Sequence, residues 1–409
     1  MIYGSDFVPS LLEEDQKYLL PIYHRLAIII KKARNVYLYD EKGNRYLDMF
    51  SGIAVNSLGH NNKKIKRAIK KQLNRYLHLS NYFVSKEAVC LAKILVTESG
   101  LSKVFFANSG TEANEAALKL ARVYGKKIDS QKTEVITLMD SFHGRTLGGL
   151  SLTGQPTKKQ LFEPLLSGII HVKGCDVKEF QKAVSHNTCA IFLELIQGES
   201  GVHQLTQNYL DEVVRLSKEY QFLIIVDEVQ TGLMRTGSLF AFQQFNITPD
   251  IITLAKSLGG GLPLGAMVVN ERLASILKYG EHGTTFGGNP MACRLGSCLL
   301  TTLLKKQFQE NFQDKSSWLL GNLKALSAKF PRIIQDVRGC GMMIGLDVGS
   351  YARIIQNKAL KHQILLNITN NSVIRLLPPL IITKKQLQFF LDSFQLILEE
   401  IEVGNETRK

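Results

Sequence analysis

Lys256 follows an apolar run, Ile251–Leu254, and leads into Gly259-Gly260-Gly261. A lysine at a strand end entering a Gly-rich turn is a candidate for Schiff-base chemistry, because burial there would depress its pKa; a solvated lysine is the ordinary alternative. A second apolar run, 222–226, ends in Asp227-Glu228-Val229-Gln230. Acidic groups so placed could bind metal, act as a base or pair with a cationic ring nitrogen, and no His cluster joins them to favour metal. A third run, Lys103–Ala107, ends in Asn108-Ser109-Gly110-Thr111-Glu112-Ala113-Asn114, where a helical pattern begins. Small residues at a helix start expose free N–H groups to an anion, while a plain Ser/Thr cap is an equally good reading of that segment alone. No G-x-x-x-x-G-K-[ST] loop occurs, and Gly259/Gly261/Gly265 and Gly339/Gly341/Gly345 miss the dinucleotide spacing.

The elements that must position these groups follow a simple order. From about residue 100, β-type runs at 103–107, 135–139, 190–195, 222–227, 251–254 and 266–269 alternate with helical patterns at 111–124, 177–184 and 207–220. That alternation predicts a mainly parallel α/β sheet, whose ligands sit at the carboxyl ends of strands, where all three candidates fall. After Asn289-Pro290 the pattern becomes helices 291–308 and 315–330, short strands at 342–347, 364–366 and 373–376, and a last helix 383–402, a second unit of α+β type. The opening 35 residues read as irregular, and 36–48 as a hairpin around Lys42-Gly43-Asn44.

Composition sets the outer limits. With 409 residues, 45% hydrophobic and 21% charged, and with 32 Gly and 10 Pro, the chain excludes collagen-like, low-complexity and disordered classes. No apolar stretch approaches the roughly 20 residues of a membrane span. The N-terminus lacks the pattern of a secretory signal, and the six cysteines include no C-x-x-C pair, so the expected location is the cytoplasm. The net charge of +14 is densest at 61–76, NNKKIKRAIKKQLNRY. There Ile65, Ala68, Ile69, Leu73 and Tyr76 fall at helical spacing, which predicts an amphipathic helix with a solvated basic face. Aromatic residues do not interleave with its charges, which argues against a nucleic-acid partner.

Phosphate cradle, acidic residue and lysine in this order describe a site for pyridoxal 5′-phosphate (PLP). The chain resembles the class III aminotransferases of PLP fold type I in SGTEANEAALKLAR (109–122), SFHGRTLG (141–148), ELIQGESGV (194–202), DEVQTGLMRTG (227–237), AKSLGGGLPLGA (255–266) and HGTTFGGNPMA (282–292). Within that class SGIAVNSLGH (51–60), LHLSNYF (77–83) and VIRLLPPLIIT (373–383) are most similar to the acetylornithine aminotransferases, which exchange an amino group between N2-acetylornithine and 2-oxoglutarate. The resemblance implies an N-terminal segment 1–50 packed with the small domain, a large PLP-binding domain 51–290 and a small domain 291–409. It also implies a homodimer with its site at the subunit interface.

Residue by residue, the resemblance makes Lys256 the Schiff-base lysine and Asp227 the partner of the pyridine nitrogen. It puts Gln230 near the ring hydroxyl, with Val229 and Phe142 on the two ring faces. Ser109, Gly110 and Thr111 match the phosphate loop, Thr285 a phosphate contact from the partner subunit and Thr284 a substrate contact. Arg145 matches the arginine for the substrate's distal carboxylate, Arg375 a second arginine and Glu199 the acid that pairs with it. Leu233-Met234 and Ser200 stand where small residues or glycine are common in the family, and 23–26 is only loosely matched. Alternatives of the same mechanism are ornithine, succinylornithine and 4-aminobutyrate aminotransferases. Tyr23 is the candidate an ornithine enzyme would use for the free α-amino acid end. An aminomutase suits the Arg375/Glu199 pair less well.

Overall fold

The fold comes from a computed structural model that describes residues 10–406, with backbone alone for 404–406. The first nine residues of the expected N-terminal segment and the last three of the expected small domain lie outside the described residues. A seven-stranded sheet runs in the order Lys103–Ala107, Gly265–Val269, Ile251–Leu254, Leu223–Asp227, Thr188–Leu193, Glu134–Leu138, Ile169–Val172. Gly265–Val269 is antiparallel to both neighbours, and the other pairings are parallel. Every residue of Thr188–Leu193, Leu223–Asp227 and Gly265–Val269 is buried. Helices cover both faces of such a sheet, so its strands read as continuous apolar runs rather than alternating ones. Helix Gly110–Ile128 lies against it through Ala113, Ala116, Ala117, Ala121 and Gly125. At Gly125 a Cβ would come within 2.0 Å of the Lys132 carbonyl oxygen, so the close approach requires glycine.

A second, four-stranded antiparallel sheet is ordered Asp336–Cys340, Met343–Asp347, Val373–Leu376, Asn367–Thr369, and brings Arg375 into the molecule. The N-terminal strands Ile30–Arg34, Tyr37–Asp40 and Arg45–Asp48 form a third sheet, which Ile364–Leu365 extends in parallel beside Arg45–Asp48. Gly43, at φ 86°, makes the turn of the expected hairpin.

Several elements depart from the sequence expectation. The described part of the first 35 residues is not wholly irregular: Ser10 caps helix Leu11–Tyr18 in a capping box with Glu13, and Ile30–Arg34 is a strand. The helix expected over 291–308 stops at Leu303. Lys305 is extended, and helix Lys306–Lys329 starts well before residue 315. Its polar opening, KQFQEN, obscures the apolar period. Helices Lys86–Ser99 and Ala352–Lys361 and strands Ile169–Val172, Asp336–Cys340 and Asn367–Thr369 add to the expected set. These strands are short, lie at sheet edges and are only partly buried, which weakens their pattern. The basic helix spans Lys63–Leu73 and is capped by Asn62, but it buries Ala68 and Gln72 while Leu73 turns to solvent. Among the described residues no helix is long and apolar enough to cross a membrane.

Candidate active site

The carboxyl ends of Lys103–Ala107, Leu223–Asp227 and Ile251–Leu254 open onto a cavity of about 500 Å³. Ser109, Gly110, Thr111, Phe142, Arg145, Glu199, Asp227, Val229, Gln230 and Lys256 all line it. Residues far apart in sequence converge because neighbouring parallel strands end on the same side of the sheet.

Lys256 sits at φ 48°, a left-handed conformation that costs a lysine energy and that the following Gly-rich turn permits. Burial depresses its ammonium to about 8, Arg375 adds to the effect, and Glu199, Asp227 and Glu194 oppose it. Near neutrality Lys256 is therefore still mostly protonated, but it yields its free-base amine far more readily than an ordinary lysine.

Asp227 is 4% exposed. Its Oδ2 accepts hydrogen bonds from Asn114 Nδ2 and His143 Nδ1, each at 2.8 Å, and its Oδ1 accepts from the Val229 N–H at 2.9 Å. Asn114 is itself oriented by Thr253 Oγ1, which donates to its Oδ1 at 2.7 Å. A carboxylate oxygen takes two donors, so Oδ1 retains capacity for one more. The buried Nε2 of His143 has no partner among the described residues.

At the helix start, Ser109 Oγ accepts from the Glu112 N–H at 3.3 Å and Ser109 O from the Ala113 N–H at 3.1 Å. The Gly110 and Thr111 amides remain at the open end, where a helix presents unsatisfied donors to an anion. A Cβ on Gly110 would lie 2.8 Å from Val229 Cγ1, so this position must stay small. Cavity, readily deprotonated lysine, acidic acceptor with spare capacity and open helix terminus together fit PLP.

Arg375 is 1% exposed. Its Nη1 pairs with Glu199 Oε1 at 2.6 Å and donates to Gln230 Oε1 and Gly198 O at 3.1 Å; Nε and Nη2 donate to Asn367 Oδ1 at 3.0 and 2.8 Å. Burial pushes the Glu199 carboxyl up, but the charges of Arg375 and Lys256 and hydrogen bonds from Arg375 and Gln230 outweigh it and hold it at about 2. Arg145, by contrast, is exposed at the cavity mouth over the Phe142 ring, 5.8 Å from its centroid.

Thr284 and Thr285 do not join the cavity. Thr285 is exposed, and the Thr284 hydroxyl accepts from Asn108 Nδ2 and the Gly287 N–H, each at 3.2 Å. Tyr23 is 73% exposed and also outside the lining. Sequence reasoning missed Asn114, His143 and Glu194. Asn114 lies one turn beyond Gly110 on the same helix, and His143 sits between Phe142 and Arg145, so spacing carried a signal for both. Glu194 is pushed up to about 7 by burial, with His143 opposing, and its Oε2 accepts from the Phe142 N–H at 2.8 Å.

Comparison with known proteins agrees with this geometry. The acetylornithine aminotransferase of Caldanaerobacter subterraneus subsp. tengcongensis is 42% identical over 96% of this chain and 100% of its own length. The succinylornithine transaminase of Salmonella newport is 36% identical over 96% of this chain and 97% of its own. The crystal structure of ornithine aminotransferase from Toxoplasma gondii ME49 superposes with a TM-score of 0.91 at 30% identity, covering 96% of this chain and 95% of that one. The family model for aminotransferase class-III matches residues 20–398, and with that match the chain belongs to the class-III aminotransferases, PLP-dependent enzymes that move an amino group between an amino donor and a keto acid.

Proposed function

We propose that this chain transfers the terminal amino group of N2-acetyl-L-ornithine to 2-oxoglutarate, giving N-acetyl-L-glutamate 5-semialdehyde and L-glutamate, a reaction of arginine biosynthesis. The observation that carries the reading is a cavity served by two arginines in opposite states: Arg375, behind the lining and paired to the lining residue Glu199, and Arg145, in the lining and unpaired among the described residues. Acetylornithine presents a terminal amine with no carboxylate on the reacting carbon, whereas glutamate carries one there. Glu199 neutralises Arg375 for the first donor and moves aside for the second, while Arg145 holds the distal carboxylate of either, fixing orientation through its planar fork. An ornithine enzyme would need a group for the free α-ammonium, and Tyr23, its candidate, lies outside the cavity lining.

The Gly110 and Thr111 amides, with Ser109 beside them, would hold the cofactor phosphate, and Val229 and Phe142 would pack against its ring. Gln230 would serve the ring hydroxyl, and Asp227, fixed by Asn114 and His143, would keep the ring nitrogen protonated. Lys256 would hold the cofactor through its amine and, once free, would carry the proton at the amine-bearing carbon of the substrate. Bound PLP supplies an electron sink for that carbon.

We further read the chain as a cytoplasmic homodimer, with Thr285 reaching the partner's phosphate site and Thr284 beside it a substrate contact, and the exposure of Thr285 supporting that reading. Residues 51–290 form the large domain and 291–409 the small one. The Ile364↔Leu47 and Leu365↔Asp48 pairings support the N-terminal segment packing on the latter. The test is a donor panel with 2-oxoglutarate as acceptor: acetylornithine, succinylornithine, ornithine, 4-aminobutyrate and lysine. The highest kcat/KM for acetylornithine is expected, and a preference for any other donor overturns the assignment.

A further inference from the structure

Lys158, at the end of the turn Pro156–Lys158, has no role in the scheme above, yet its side chain reaches the same aromatic ring as Arg145. Its Nζ lies 4.9 Å from the Phe142 centroid, and the Arg145 guanidinium carbon lies 5.8 Å from that centroid. Neither cation makes an ion pair or hydrogen bond among the described residues. Burial lowers the pKa of the half-buried Lys158; Glu199 and Glu194 raise it, and Arg145 and Arg375 lower it further. Phe142 and Arg145 both line the catalytic cavity, so the Lys158 ammonium lies beside its edge. Two unpaired cations over one ring repel each other, and a cation–π contact is a weak return for that arrangement. An anion bound by both resolves it.

We propose that Lys158 is a second cation for the substrate's distal carboxylate, shared with Arg145, and that it selects donors carrying a carboxylate remote from the reacting amine. The inference rests on the aminotransferase reading of the cavity but not on acetylornithine as the donor. Chemistry gives it a purpose. The distal carboxylate of acetylornithine lies one carbon further from the reacting carbon than that of glutamate. A planar guanidinium matches one reach best, and a flexible four-carbon lysine beside it accommodates the other. A carboxylate has lone pairs enough for both partners.

The test uses PLP-loaded Lys158→Met and Lys158→Arg, measuring single-turnover conversion of the bound cofactor with glutamate, acetylornithine, succinylornithine and pentylamine, which has no carboxylate. Lys158→Met is expected to raise the half-saturating concentration about tenfold for glutamate and acetylornithine, with limiting rates within about twofold and pentylamine unchanged. Lys158→Arg should recover most of that loss for one of the two. Lys158→Gln, uncharged and shorter, serves should the Met variant fail to fold. An equal shift for pentylamine, or no shift for glutamate and acetylornithine, overturns the proposal. So does a loss confined to succinylornithine, which would assign Lys158 to the acyl end. If the wild type accepts glutamate but not acetylornithine, the functional reading above fails, and the glutamate-to-pentylamine contrast still decides the role of Lys158.

Discussion

The inner and outer ends of the cavity treat the same residue type in opposite ways. At the inner end Arg375 is 1% exposed and its guanidinium is fully engaged, by Glu199, Gln230, the Gly198 carbonyl and Asn367. At the mouth Arg145 is exposed and rests on an aromatic ring without an acidic partner. A buried charge must be paired, because desolvation leaves it several kcal/mol in deficit otherwise; an exposed one is kept by water. The partner of Arg375 is a carboxylate inside the cavity itself, so its charge can be hidden or revealed to a substrate. That of Arg145 is always on display.

The largest expected effect removes the group between the two ends. Lys256→Ala should lower turnover by on the order of a thousandfold or more while PLP still binds noncovalently; retained turnover would assign the proton transfer elsewhere. Borohydride reduction followed by peptide mapping checks the same residue, and an adduct on another lysine would sink its assignment. Next comes Arg145→Ala, expected to weaken the acetylornithine and glutamate half-reactions alike by about ten- to a hundredfold. Arg375→Ala should cost a similar factor with glutamate and largely spare acetylornithine, read by single-turnover conversion with each donor. Equal losses in both halves would reduce Arg375 and Glu199 to a structural ion pair. Glu199→Ala sharpens the contrast from the other side, because an unmasked Arg375 lets glutamate compete as donor.

Two smaller effects follow. Capture of PLP by cofactor-free enzyme should speed up as pH rises through about 8, where Lys256 loses its proton, and then level off. An inflection at the ordinary lysine value of 10.5 would contradict the burial of that amine. Glu199, held at about 2, stays ionised across that range, so masking of Arg375 should not vary with it. The sign follows from a depressed carboxyl: its ion pair stabilises the fold above the unfolded value and is lost only as pH falls through the folded one. Finally, the Ser200 hydroxyl is buried without a partner. Ser200→Ala should leave the thermal midpoint unchanged or raise it by the equivalent of about 1 kcal/mol; a clear fall would reveal a partner for that hydroxyl.

The departures from the family pattern acquire a physical meaning in the fold. Leu233 and Met234 adopt φ 57° and 70° and are both buried. The backbone there is left-handed, which is why glycine suits the positions, and here apolar burial offsets the strain. The cradle, Asp227 and Lys256 were legible because each lies at the end of an apolar run, and run ends are marked by local composition. Glu194 was not, and Asn114 and His143 were marked only by their spacing from Gly110 and from Phe142 and Arg145, because a polar residue within a helix or behind a ring shows its role only once its partner arrives. Leu73 shows the same limit on the surface: helical spacing placed it on the buried face, yet Gln72 is buried and Leu73 exposed.

By itself the sequence determined most of the central strands and the helices between them, the three strand-end groups and the family, since all are carried by short-range periodicity and contiguous motifs. Only tertiary structure decided that strand Ile364–Leu365 would close the N-terminal sheet and that Arg375, 176 residues from Glu199, would be paired with it while Arg145 stayed free. Which charge is buried, and against what, depends on where distant strands end in space. Periodicity along a chain does not encode that. Desolvation, which penalises an unpaired Arg375 and not an exposed Arg145, acts only once the cavity has closed around them.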